Sequence, residues 1–337
     1  NKKSILLFDR NSLLSVQAIE SIRNFGLIGV YVLEPAEPLP PMTQEDLEFE
    51  RFQIKAVSAI EEELDRILKT RKQSRIQTIA DMVIRNYGHL DEKINFYQNL
   101  RSLEDYVSRH SLNVAILCAM ITHVMNIRRE EQYHTVCAAL LHDMGKLKKH
   151  EDVYFGAPYS REDAIRNCET QEEAYSVIED AFATEGPAIR RICQQAAGKQ
   201  LDLFPEEGKE SRYKMLEGSN VLLVANRYDE ITAMTLQGTA QSEVKAAQEL
   251  LEHPEVYDPE TVQALLRSIN ILPPGASVEL STGEKALVLR ENKENVLCPT
   301  VVSFRDNSIL DLALPQNEDI QIVDVMKTMD NRYILKK

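Results

Sequence analysis

Ala138-Ala139-Leu140-Leu141-His142-Asp143-Met144-Gly145-Lys146 (AALLHDMGK) is the stretch on which the reading of this chain turns. An apolar helix runs directly into a histidine and an aspartate. Side by side, these two can offer an imidazole nitrogen and a carboxylate oxygen to a metal ion. The glycine that follows lets the chain turn, and Lys146 can reach an anionic group nearby. A lone His-Asp pair recurs by chance and can equally be a hydrogen bond at a helix end. The whole string is far more specific.

Upstream, Arg109-His110-Ser111-Leu112-Asn113-Val114-Ala115 places a second histidine at the start of an amphipathic helix, 32 residues before His142. From residue 76 to about residue 251 the text is nearly all helical. Apolar residues recur at helical spacing in 76–85, 103–125, 132–147, 173–194 and 216–233, and strand-like alternation is almost absent. This predicts a central all-α helical bundle over 76–271. After Pro273 the punctuation changes. Segments 277–280, 285–289, 296–304 and 309–314 alternate or are rich in β-formers, separated by turns at Thr282-Gly283 and Asp306-Asn307. Residues 272–337 therefore read as a small C-terminal β module.

At the other end, 4–9 (SILLFD) and 29–33 (GVYVL) read as strands flanking a helix over 13–24, with Gly26 as its C-cap. A proline-rich break follows at 35–41 (PAEPLPP), so 1–42 is expected to be a small α/β module. A long connecting helix over 43–75 would start at Thr43, an N-cap candidate with Asp46 three residues on. Within it, Val57, Ile60, Leu64 and Ile67 form an a/d seam. Two readings of that seam stand: a homodimer through helix 43–72, or packing on the chain's own bundle.

Composition excludes several classes. With 337 residues, 43% hydrophobic and 27% charged, the chain is long and apolar enough for two or three domains and is not a disordered protein. No run approaches the roughly 18 apolar residues of a membrane span, so no membrane partner is expected. A net charge of -14 argues against a general nucleic-acid binder, which needs a basic face. The five cysteines show no CxxC spacing, which excludes a disulfide scaffold and a zinc ribbon and fits a reducing cytoplasm. No signal peptide is visible.

Together, RHSLNVA and AALLHDMGK resemble the H…HD core of the HD superfamily of metal-dependent phosphohydrolases. The AALLHD(I/M)GK form is similar to the HD-GYP branch, whose members hydrolyse cyclic di-GMP or related cyclic dinucleotides. Three further stretches, 258–266 (DPETVQALL), 272–275 (LPPG) and 278–284 (VELSTGE), resemble the segment that follows many HD-GYP domains. Tyr228-Asp229 in 222–232 (LLVANRYDEIT) resembles the family's late AD-x-x-D-A helix, and 26–35 (GLIGVYVLEP) resembles N-terminal regions attached to such domains.

The resemblance implies a divalent metal ion held by His110, His142, Asp143 and Asn226. It also implies Asp143 and Lys146 as catalytic residues, and a cyclic dinucleotide or related nucleotide as substrate. Lys146 is then a phosphate contact; the plainer reading makes it one of a solvated basic cluster with Arg128, Arg129, Lys148 and Lys149.

The departures from the family pattern are specific. Residues 170–174 (TQEEA) hold no histidine where HPxxG is expected, and 194–205 (QQAAGKQLDLFP) stand where HHExxDGxGYP is expected. Asn226 replaces the ligand aspartate, and Tyr106 replaces the glutamate one turn before His110. A reduced or degenerate metal site follows. Two functions are compatible with it: a phosphohydrolase, or a catalytically inactive signalling module that binds a nucleotide or protein partner.

Overall fold

The structure, a computed structural model, describes residues 15–24, 44–96, 98, 101–148, 160–204, 214–235 and 240–325. These fall into two compact units. One is drawn from 50–241 and 246–269; the other holds the described residues of 1–49 together with 242–245 and 270–325.

The first unit is helical. Its elements are α2 (Gln44–Thr70, from residue 50 onward), α3 (Ile76–Tyr87), α4 (Tyr106–Val124), α5 (Arg129–Leu141), α6 (Arg161–Phe182), α7 (Gly186–Gln200), α8 (Glu217–Thr232), most of α9 (Glu243–Glu252) and α10 (Pro259–Ser268). α1 (Val16–Asn24) belongs to the second unit. Helix α4 is apolar on nearly every face between Leu112 and Ile121, the pattern of a helix with no solvent side. It packs against α3, α5, α8 and α10 and forms the centre of the core. Helix α6 starts on a capping box between Ser160 and Asp163, and α10 on an Asp258 cap followed by Pro259.

The a/d seam of α2 is covered from within the chain. Ile60, Leu64 and Ile67 are fully buried, Phe52 packs edge-on against Tyr87, and Gln53 donates to Asn113 of α4. The seam thus packs on its own bundle. Thr43 lies outside the described residues.

Two helical expectations change. Segment 173–194 is not one helix: α6 ends at Phe182, Ala183 takes φ 47°, and α7 restarts at Gly186-Pro187. The Gly-Pro pair was the available stop signal. Segment 132–147 ends at Leu141, and Met144–Lys148 continues as a 3-10 turn.

The second unit carries a five-stranded antiparallel sheet in the order β4-β3-β2-β1-β5, formed by β1 (Ser277–Leu280), β2 (Lys285–Arg290), β3 (Thr300–Ser303), β4 (Ile309–Asp311) and β5 (Ile322–Val325). Val278, Leu280, Ala286, Val288, Val301 and Ile322 supply its buried face. Gly283 (φ 78°) and Asn307 (φ 60°) occupy the turns the sequence marks, where a positive φ favours those residue types. Strand β3 is shorter than the 296–304 expected, because Cys298 closes a turn onto Asn295, and β4 stops at Asp311. Strand β5 was not anticipated.

In the N-terminal segment, α1 begins at Val16. The strands expected at 4–9 and 29–33, Gly26 and the break at 35–41 lie outside the described residues. No helix among the described residues is long and apolar enough to cross a membrane.

Candidate metal centre

Helices α4, α5 and α8 bring four expected residues to one point. His110 sits one turn into α4, His142 caps the end of α5, Asp143 opens the 3-10 turn, and Asn226 projects from α8. His110 Nε2 and His142 Nε2 are 3.2 Å apart, and Asn226 Oδ1 is 2.9 Å from each. Asp143 Oδ2 lies 3.4 Å from His110 Nε2, and Asp143 Oδ1 lies 3.8 Å from His142 Nε2.

The second nitrogen of each imidazole determines what these atoms are. His142 Nδ1 is 2.8 Å from the carbonyl of Ala139, which can only accept, so Nδ1 carries the proton and Nε2 a lone pair. His110 Nδ1 is 2.6 Å from Asp229 Oδ2 and donates in the same way. Asn226 is oriented by its Nδ2, which donates to Glu230 Oε1 at 3.1 Å, leaving Oδ1 toward the histidines. Three acceptors therefore face one another with no proton between them, beside a carboxylate. Protonating an imidazole relieves this, and so does a cation. The observed separations suit atoms sharing one ion at bond lengths of about 2.0–2.2 Å. Imidazole nitrogens with carboxylate and amide oxygens form a set that a divalent transition metal accepts.

The surroundings hold this charge pattern. Burial alone would raise the Asp143 carboxyl, but Lys146, with His142 and His110, holds it well below the usual carboxylate range. Lys146 Nζ donates to Asp143 Oδ2 at 2.7 Å, and Gln171 Nε2 approaches Oδ1 at 3.3 Å. Lys146 is buried, so it is not part of a solvated basic cluster. Asp229 is fully buried yet also held far below the usual range, because Arg101 and His110 outweigh the cost of burial. His142 is lowered from its ordinary value, by burial first and by His110 and Lys146 against the pull of Asp143. It is thus kept in the neutral form a metal requires.

Gly145 serves a close approach: a Cβ there would meet Thr170 O at 2.5 Å and Gln171 Oε1 at 2.6 Å. Its amide donates to Gln171 Oε1 at 2.9 Å, tying the 3-10 turn to α6. This differs from the turn-making role expected of it, since its φ is not positive.

Residues 107–234 match the family model of the HD domain. This segment is an HD domain. It contains His110, His142, Asp143, Lys146 and Asn226. No curated protein matches the chain. Among solved structures, Bd1817, a HDG"Y"P protein from Bdellovibrio bacteriovorus, is similar over 67% of this chain and 73% of its own, with 15% identity and a TM-score of 0.43.

Of the two stretches that depart from the family pattern, 170–174 contributes Gln171 to the wall around Asp143. In 194–205, Gln195 serves structure, accepting from the Leu216 amide and the Ser219 hydroxyl. Tyr106 lies stacked beside His110, with ring centroids 5.5 Å apart. Sequence reasoning missed Glu230, Gln171, Arg101, Gln98 and Asn113. Glu230 was within reach, since it follows Asn226 by four residues on the same helix face. Nothing local marks Arg101, which precedes α4 and meets α8 only through the fold.

Proposed function

We propose that this HD domain holds a single divalent cation on His110, His142, Asp143 and Asn226, and that the chain is a metal-dependent phosphohydrolase with a reduced HD-GYP-like centre. The convergence of three proton-free acceptors beside an ionised carboxylate supports this reading most strongly. The cation supplies Lewis acidity toward a phosphoryl group at neutral pH.

The chain's own residues do the rest. His110 and His142 present Nε2, each fixed by a partner on Nδ1. Asp143 adds the negative charge, with Gln171 and Lys146 fixing its carboxylate. Lys146 is the cationic group placed to neutralise charge developing on phosphoryl oxygens. The substrate class proposed is a cyclic dinucleotide or a related nucleotide. Metal analysis of the purified chain, followed by product formation from cyclic di-GMP over hours at saturating substrate, tests the reading. We expect bound metal with slow turnover. Robust turnover would return the chain to the ordinary phosphodiesterases, and absence of metal would remove the proposal.

A second reading, a non-catalytic HD-GYP-like binding module, has its own support. The cavity bounded by His142, Asp143, Lys146, Asn167, Gln171 and Glu230, among others, is about 30 Å³. That is room for about one water-sized body. Metal retention with no turnover at all would favour this second reading.

A further inference from the structure

Asp229 and the groups around it lie one layer behind the proposed ligands, on the side of His110 away from them. Its carboxylate is surrounded by donors. Oδ1 accepts from Arg101 Nη2 at 2.7 Å, Gln98 Nε2 at 2.9 Å and Asn113 Nδ2 at 3.0 Å. Oδ2 accepts from Arg101 Nη1 at 2.7 Å and His110 Nδ1 at 2.6 Å. A carboxylate offers about four lone-pair sites, so this one is saturated. Arg101 is 1% exposed and reaches both oxygens at once, the planar fork that lysine lacks.

The neighbouring amides cannot turn without breaking this pattern. Gln98 Oε1 accepts from Arg101 Nη2 at 2.7 Å and from Asn113 Nδ2 at 3.1 Å, while its Nε2 also donates to Thr232 Oγ1 at 2.9 Å. Asn113 Oδ1 is engaged by Gln53 Nε2 of α2 at 3.1 Å, which leaves the Asn113 amide nitrogen for Asp229. The backbone of Arg101 is itself pinned, its N–H donating to the Met234 carbonyl just beyond α8. Every group in this layer has its polarity set by the next, and its outlet toward the proposed ligands is His110.

We propose that Arg101 is a positioning residue for the cation site. By gripping Asp229 at both oxygens it fixes where Oδ2 lies, and Oδ2 fixes His110 in the Nδ1–H tautomer that turns a lone pair toward Asn226 and His142. If Asp229 were free to rotate, His110 could carry its proton on Nε2 instead. That proton would point at Asn226 Oδ1 and His142 Nε2, where the cation belongs. The inference rests on the single-cation reading, but the tautomer it predicts exists without a metal.

Arg101→Lys keeps the charge and removes the fork. Zinc titration by calorimetry is expected to show a loss of about 10–100-fold in affinity, the range for partners behind metal ligands. In the metal-free protein, the nitrogen-15 spectrum of the His110 ring is expected to show Nδ1–H in the natural chain and a mixture of tautomers in the variant. A folded Arg101→Lys protein with natural zinc affinity and an unchanged His110 ring spectrum would overturn the proposal. If Arg101→Lys does not fold, Gln98→Met takes its place, loosening Arg101 and Asn113 together, and the same two readouts apply. Should the natural chain bind no zinc, the single-cation reading fails. The ring spectrum of natural chain against variant still decides the role of Arg101.

Discussion

Two recesses among the described residues of the helical unit differ in size, polarity and burial. A cleft of about 930 Å³ is lined by Asp81, Arg85, His89, His123, Arg129 and Glu130, with Ile84, Ile127 and Tyr133 between them. The cavity at the proposed metal centre measures about 30 Å³. Near each recess a histidine is paired with an aspartate. His123 Nε2 meets Asp91 Oδ1 at 2.9 Å, but Asp91 is 92% exposed. His110 Nδ1 meets Asp229 Oδ2 at 2.6 Å with both side chains fully buried. In water such a pair is weak and constrains nothing beyond itself. Out of water it selects a tautomer and commits the far nitrogen to a task. The larger recess is therefore the poorer candidate for chemistry, since its charged groups are solvated and do not converge.

Substitutions at the two recesses should separate them sharply. The largest effect is expected for His142→Ala, which should abolish metal retention, as read by metal analysis after dialysis. Asn226→Asp comes next. An anionic oxygen binds a dication better than an amide, so affinity should rise by about tenfold, or about 1.4 kcal/mol. The same change loses the donor to Glu230 and sets two carboxylates together, so the metal-free variant should melt below the natural chain and recover when metal is added. A variant that binds metal no better would show that Asn226 Oδ1 is not a ligand.

Acid should act in two steps. His142 is lowered from the 6.5 of a free imidazole. The unfolded chain therefore takes up that proton first, and stability present above pH 6.5 is lost as the pH falls below it. Asp143 and Asp229 are lowered from 3.8, so their contribution is present above that value and lost as the pH falls through the more acidic range. Thermal midpoints measured across this range should show both declines; a flat profile between neutrality and pH about 5 would contradict a neutral His142. The smallest effect is expected at the open cleft. His123→Ala should change stability by no more than about 0.5 kcal/mol and leave metal content untouched. A loss of metal there would erase the contrast between the recesses.

Much of this was legible in the sequence, for reasons that can be located. The helical spacing from residue 76 onward marks the bundle, and the motifs mark His110, His142, Asp143 and Asn226, whose side chains the fold brings to one point. The residues behind them were not legible. Arg101 reaches Asp229 across 128 positions and Gln53 reaches Asn113 across 60, through side-chain contacts that leave no local periodicity. The break at Ala183 was hidden because apolar spacing continues from α6 into α7, so periodicity alone could not see the stop. Strand β5 escaped because Ile322–Val325 is short and has only one clearly buried position. The a/d seam of α2 is ambiguous for a different reason: the same spacing serves a second subunit or the chain's own bundle, and it is the fold that buries Ile60, Leu64 and Ile67 within the chain.

In the function proposed above, one cation occupies the point where His110, His142, Asp143 and Asn226 meet. The most direct test is the molar ratio of zinc to natural chain, after loading and exhaustive dialysis, at a pH above the ordinary imidazole range. A ratio of about one is expected. A ratio near zero would make the His-Asp pair a structural hydrogen-bonding unit, and a ratio near two would mean that the centre is not reduced.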